Sequence, residues 1–531
     1  MISESRVRIN KISRLRERLL DPEWRKYAGI LFVGKFGAIA ILMMAFFLFQ
    51  AFTGTAARAD DPVLTGNAIV NPLNTLWVLL AAFLVFCMQV GFTMLEAGFC
   101  RSRETVNVLV ECIFDTCLCG ILFWAWGFAF MFGHGNGFIG TGDGNGHNWF
   151  FLHNAPETYE ATGVSFMAYW LFQFAFADCA STICSGAMIG RTAFIGDIIY
   201  SVCVSGFIYP IVGHWAWGPD GFLALMGSPA AAGAAATFLP TLGNSFHDFA
   251  GSTVVHVIGG SIALAGALVL GPRLGRRFKR DGGGPMLPHD LVIAACGGLL
   301  LWFGWYGFNP GSSLSAMDFT GVGRIATNTT LAACAGGLAA ILIALPATKK
   351  WDLGFLTNGF LAGLVAITCP CYWVDPTGAV LIGLVAGLVV YGGVELLEYL
   401  RIDDPIGAVP VHMMNGIWGT ISLGLFACGK YLASTPTGAA PIDKDHAALK
   451  GLFYGGGFDL LKSQLIGNII ITASVFSLAM GMFFVIHKFG LLRVSKAGEL
   501  EGLDVHEHGL PPYPEFVLHE TPSAHGMTED N

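Results

Sequence analysis

The chain has 531 residues, 54% of them hydrophobic and only 12% charged, with a formal net charge of −8 and a mean hydropathy of +0.61. Soluble domains carry about 25% charged residues, so this complement is too small to wet a globular surface, and a length otherwise fit for about three domains reads as one membrane bundle. The acidic residues are assigned to loops and tail, and so modest an excess implies no nucleic-acid partner.

The first segment is basic: Arg6, Arg8, Lys11, Arg14, Arg16, Arg18, Arg25, Lys26 and Lys35 precede an apolar run from Phe36 to Phe52, then Ala57-Arg58-Ala59. Those are the parts of a secretory signal, so residues 1–59 read as a removable leader cleaved after Ala59, with an uncleaved extra span as the other reading. Eleven apolar spans follow, at 75–99, 106–132, 164–190, 194–217, 249–271, 290–309, 326–345, 354–373, 377–397, 406–428 and 464–487, each near the roughly 20 residues that cross a bilayer. Residues 60–488 thus form the membrane domain and 489–531 a tail. Thirteen cysteines, among them Cys117, Cys119, Cys179 and Cys203, fall mostly inside these spans and read as small apolar packing groups.

Basic residues fall in every second connection: Arg101 and Arg103, Arg191, Arg273 to Arg280, Lys349-Lys350, Arg401, then Lys488, Arg493 and Lys496. Positive residues stay on the cytoplasmic side. The mature chain therefore starts outside and its tail lies inside; with the secretory-type leader, an inner (plasma) membrane location is expected. The loop at 429–463 disagrees, carrying Lys430, Lys444, Lys450 and Lys462, though Asp443, Asp445 and Asp459 offset most of that charge.

An internal repeat relates two spans. Asp248-x2-Gly251-x3-Val255-His256 opens the fifth and Asp404-x2-Gly407-x3-Val411-His412 the tenth, and both reach a glycine four residues later, Gly260 and Gly416. An odd number of crossings between them makes the repeat inverted, the architecture of many transporters with a midplane site, here over 75–271 and 290–428. Eight helical residues rise about 12 Å in a core about 30 Å thick, so the two histidines, counted from opposite faces, land near the bilayer centre. A fainter echo pairs Gly91-x4-Glu96-x-Gly98 with Gly304-x4-Asn309-x-Gly311. A lone helical histidine is most often a packing residue. Two at matched depth mark a pathway for solute or protons, because neutral imidazole both donates and accepts. A two-histidine metal site is the competing reading, but no third ligand sits at suitable spacing. No metal, cofactor or catalytic residue is expected. Asp248 and Asp404 each begin a helix, where a carboxylate caps free amides; for Asp248 a place on a cation's entry path is equally open.

Taken together, these motifs resemble the ammonium transporter family (the Amt/Mep/Rh group) over about residues 70–516. The carriers are Asp248 to His256, the pair His256/His412, Trp305-Tyr-Gly-Phe308-Asn309-Pro-Gly-Ser312, Phe172-Gln173-Phe-Ala-Phe176, His214-Trp-Ala-Trp217, and a tail running from Arg493 through Gly502 and Gly509 to Tyr513. The stretch around His412 is most similar to the plant and cyanobacterial branch, where Gly407 replaces an acidic residue of other bacterial members. The resemblance implies an all-α membrane protein with an inverted five-plus-five repeat, an eleventh helix and one pore per subunit. It also implies a transporter of ammonium or ammonia, not an enzyme. Phe176, Trp217 and Ser312 would form an external recruitment site, Phe176 and Phe308 a gate, and His256 and His412 a proton-relaying pore, with Asp248, Trp305, Asn309 and Gln173 in support. A homotrimer in membrane lipid and a cytosolic PII-type regulator at the tail are implied too. The alternatives are an ammonium sensor with the same site, an intramembrane metalloenzyme, and a gas-conducting Rh-like protein, against which Ser312 and Trp217 speak.

Overall fold

A computed structural model describes residues 66–159, 162–226, 244–431 and 448–513. The expected leader at 1–59, part of the 429–463 loop and the tail beyond 513 lie outside the described residues. The helices are α1 (Gly66–Phe99), α2 (Ser102–Phe132), α3 (Phe166–Gly186), α4 (Phe194–Trp217), α5 (Ser252–Leu270), α6 (Leu291–Phe308), α7 (Phe319–Thr348), α8 (Leu353–Thr368), α9 (Pro376–Leu400), α10 (Val409–Met414, running on as Asn415–Phe426) and α11 (Asp459–Lys488). Two short helices follow in the tail, α12 (Lys496–Glu501) and α13 (Leu503–His508). A two-stranded ribbon, β1 (His134–Gly135) with β2 (Gly140–Gly142), sits between α2 and α3.

Among the described residues, eight helices are long and apolar enough to cross a membrane: α1, α2, α4, α5, α6, α7, α9 and α11; α8 is apolar but shorter. The expected spans at 164–190 and 406–428 are also helices, α3 and α10, yet fall outside that group. The reason is internal polarity: α3 buries Gln173, Asp178, Ser181 and Thr182, and α10 buries His412, Asn415, Thr420 and Ser422. Boundaries shift where caps act. The Asp318 carboxylate accepts from Gly321 N and starts α7 seven residues before the expected 326. Pro370, which lacks an amide hydrogen, ends α8 at Thr368 instead of 373.

One expectation fails outright. The acidic residues are not confined to loops and tail: Glu96, Glu111, Asp115, Asp178 and Asp197 lie inside α1–α4, each at most 3% exposed. Span-averaged hydropathy hides a single carboxyl in an apolar run.

The inverted repeat is visible in how glycines seat neighbouring helices. Positions in α10 lie 156 beyond their counterparts in α5 (412 − 256). A side chain on Gly260 would strike the backbone of Met413, and one on Gly416 would strike Val257, its counterpart contact (413 − 156 = 257). Between α1 and α6 the offset is 213 (304 − 91). Gly91 faces Leu301 and Gly304 faces Met88; Gly98 faces Ala294 and Gly311 faces Ala81. Each contact returns as its own mirror, as an antiparallel pair about a two-fold axis requires. Helix neighbours repeat likewise, α3 on α5 and α8 on α10, α2 on α4 and α7 on α9.

Next to the basic loops, Arg273 grips Asp403 through two hydrogen bonds of 2.8 and 2.9 Å. The fully buried Arg191 donates to the Asp403 carbonyl at 2.7 Å. The tail folds back on the same end: the Asp504 carboxylate accepts from Asn107 N at 2.8 Å, and Glu499 accepts from Leu274 N and from Arg493.

Candidate functional site

The two aspartates of the repeat do the same work. The Asp248 carboxylate accepts from the amides of Gly251, Thr253 and Val254 at 2.8–3.1 Å. Asp404 accepts from Gly407, Ala408 and Val409 at 2.9–3.1 Å. Both loops turn on a glycine with positive φ, Gly251 at 111° and Gly407 at 81°, a conformation that suits glycine best. Each carboxylate is spent on helix-start amides. In addition, the Asp248 carbonyl accepts the Trp217 indole N–H at 2.8 Å, which fixes that ring.

Each cap launches a π-helical turn, Ser252–Val257 and Val409–Met414; such turns cluster at functional sites. Within them His256 and His412 face each other with Nδ1 atoms 3.2 Å apart. Their rings stack at 5.2 Å. His256 is fully buried and its Nε2 has no hydrogen-bond partner. Trp305 lies over His256 at 5.2 Å and is held by a bond from Nε1 to the Thr368 hydroxyl.

A file of rings leads to that pair. Trp217 meets Phe176 edge-on at 6.1 Å, Phe176 stacks on Phe308 at 4.1 Å, and Phe308 stacks on His256 at 5.5 Å. Above the stacked phenylalanines is a vestibule lined by Phe132, Tyr169, Phe172, Gln173, Phe176, Trp217, Phe249, Ser312 and Leu314. The Ser312 hydroxyl donates to the Phe308 carbonyl at 2.8 Å, so its lone pairs remain for an incoming donor. Gln173 Oε1 is buried without a partner. Asn309 instead ties α6 to α7 by donating to Thr329. A second, wider pocket at the start of α10 is lined by Asn358, Asp404, Ile406, Gly407 and Pro410, among others.

The structure thus brings Phe176, Trp217, Ser312 and Gln173 together, and joins Phe308, Trp305, His256 and His412 below them. Asp248 and Asn309 stand behind as scaffold. Sequence reasoning missed Tyr169, Phe249 and Leu314 in the vestibule, the Thr253–Thr420 hydroxyl pair at 2.5 Å, and Thr368 under Trp305. None carries a spacing signal, since their roles arise only where helices cross. Among the described residues no three His, Cys, Asp or Glu side chains converge as metal ligands.

The family model described as the Ammonium Transporter Family matches residues 76–513. Ammonium transporter Amt2 of Archaeoglobus fulgidus is 42% identical over 85% of this chain and 90% of its own length. Ammonium transporter 1 member 2 of Arabidopsis thaliana is 39% identical over 78% of each chain. Among solved structures, one described as a Sensor Amt Protein is 34% identical, with a TM-score of 0.70, over 83% of this chain and 99% of that one. The chain belongs to the ammonium transporter family.

Proposed function

We propose that this protein carries ammonium nitrogen across the plasma membrane by recruiting the cation in the vestibule and passing neutral ammonia along the histidine pair. The observation that carries the reading is the unbroken file Trp217–Phe176–Phe308–His256–His412 beneath a vestibule whose free acceptors are oxygens of Ser312 and Gln173. An ammonium ion gains about 0.5–2 kcal/mol from an aromatic face and donates hydrogen bonds to those oxygens. A bare cation at the bilayer centre costs at least about 2.5–3.5 kcal/mol. Ammonium avoids that cost by losing its proton just below the stacked phenylalanines, which potassium cannot do. Ammonia then crosses beside His256 and His412, whose shared Nδ1 contact gives a separate lane for the proton. The continuous ring file supports conduction over sensing.

The same reading takes α3, α8 and α10 as crossings with the eight apolar helices, eleven in all. The mature N-terminus is outside, the basic loops and tail are cytoplasmic, and domain limits fall at 60–488 and 489–531 after a leader at 1–59. It also takes the working form as a homotrimer whose tail meets a cytosolic PII-type protein. The positive residues of alternate connections and the tail's docking on the basic end support that topology.

The deciding experiment is current on a solid-supported membrane carrying reconstituted protein, pulsed with ammonium and then potassium, beside a pH-dye assay of ammonia entry. A response to ammonium alone, lost in the Ser312→Ala/Trp217→Leu double variant, is expected. Equal responses to potassium and ammonium, or none in both assays, would overturn it.

A further inference from the structure

The buried carboxyls of α1–α4 have no part in the ring file, yet a carboxyl inside a membrane bundle is costly and tends to mark a functional pathway. Asn107, Glu111 and Asp115 follow at four-residue spacing along one face of α2; Asp197 and Ser201 do so on α4. Asp178 lies eight residues before the end of α3, about 12 Å into the bundle. Glu111 is 3% exposed, Asp115 1%, and Asp178 and Asp197 0%.

They lie within electrostatic reach of one another, with Asp115 and Asp197 in direct contact. Asp115 is flanked by Asp197, Ser201, Glu111 and Asp178. Asp197 is flanked by Asp115 and Tyr200, and Asp178 by Thr116 and Gln89. Glu111 faces Asp197, Asn107, Glu96 on α1 and Glu507 of the tail. Among the described residues none of the four carboxyls has a lysine or arginine in an ion pair. No hydrogen bond of standard distance and angle reaches either oxygen of Asp115, Asp178 or Asp197, or the Ser201 hydroxyl and Gln89 Nε2, although Ser201 sits beside Asp115, Gln89 and Thr116 beside Asp178, and Tyr200 beside Asp197.

Adjacent carboxylates in a low-dielectric interior cannot all ionise, and a membrane-buried charge without compensation is expensive. Among the described residues no three such side chains converge on a metal position. The remaining small cation is the proton. It turns an acceptor-only carboxylate into an O–H donor for the next oxygen, which supplies the missing partners. One end of the column reaches the surface: Asn107 donates to Glu111 at 2.8 Å, and its own oxygen meets His508 Nε2 of α13 at 3.0 Å.

We infer that Glu111, Asp115, Asp178 and Asp197 form a proton-binding column, separate from the histidine pair, that shares protons among its carboxyls and exchanges them with the end of the molecule where the tail docks. A hydronium ion at that end gives its proton to the Glu111 carboxylate, breaking one of its O–H bonds and leaving water. Each onward transfer breaks one carboxyl O–H bond and makes the next, leaving the donor an anion ready to be reloaded. The column does not depend on the conduction reading.

Infrared spectroscopy of the full chain in lipid, in H2O and then D2O, tests it. The native protein should show the C=O absorption of protonated carboxyls at neutral pH, shifted to lower frequency in D2O. Asp115→Asn and Asp197→Asn should each remove part of that absorption, and the double variant more. A native protein without the absorption, an absorption that D2O leaves in place, or one that survives intact in the double variant would each overturn the inference. Because the native spectra in the two waters already decide loading and exchange, a variant that fails to fold does not rescue it. Folding is read separately from the thermal midpoint of each variant.

Discussion

His256 and His412 meet Nδ1 to Nδ1 at 3.2 Å, so one ring donates while the other accepts, and each turns its Nε2 edge away from the shared contact. Alanine at both positions removes that contact and the polar lining where a cation is dearest. The His256→Ala/His412→Ala variant should lose ammonium-evoked current by about tenfold or more, the worth of one buried hydrogen bond, and lose discrimination against potassium. Unchanged rate and selectivity on a solid-supported membrane would refute a role for the pair.

In the vestibule the acceptors act together. With the Ser312 proton committed to the Phe308 carbonyl and Gln173 Oε1 unpaired, each offers one bond to an ammonium hydrogen. Ser312→Ala and Gln173→Leu should each raise the half-saturating ammonium concentration by about five- to tenfold, with little change in maximal current, since a typical hydrogen bond is worth about 1 kcal/mol. A drop in maximal current at unaltered half-saturation would place these residues in the gate instead.

Much of this was legible in the chain because the informative signals are local. The Asp-x2-Gly-x3-Val-His strings encode a cap, a left-handed glycine and a histidine on one short segment, and the repeat offset then dictates that the two segments meet. The ring file was legible through motif, not periodicity, because Phe176, Trp217 and Phe308 come from three helices whose crossings no local pattern states. What escaped was the carboxyl column. Asp115 and Asp178 stand singly within runs of apolar residues, and only packing of α2, α3 and α4 makes neighbours of them.

The mirrored glycines predict a pair of matched costs. Alanine at Gly260 presses on Met413, and at Gly416 on the Ser252 carbonyl and Val257. Overpacking of this kind costs about 1–3 kcal/mol. Gly260→Ala and Gly416→Ala should each lower the thermal midpoint of the detergent-solubilised protein, by similar amounts. Gly481→Ala should not, because nothing lies within 4 Å of a side chain there. Equal midpoints for all three variants would mean that the helices adjust without strain.

The Asp403 knot gives a pH prediction with a defined sign. Burial alone would raise this carboxyl, but the hydrogen bonds and charge of Arg273, with the charge of Arg191, outweigh it and hold Asp403 well below the ordinary carboxylate range. A depressed folded value means that the stabilisation is fully present above the unfolded value of about 4. It is lost as pH falls from there towards the lower folded value. Asp403→Asn leaves Arg273 buried without its anion, at a cost of about 3 kcal/mol near neutrality. Its thermal midpoint should therefore sit below that of the native protein at about pH 7. The gap should narrow as the pH is lowered below about 4, because protonation then weakens the native pair as well. A gap that stays constant through the acid range would show that Asp403 acts there by shape alone, without its charge.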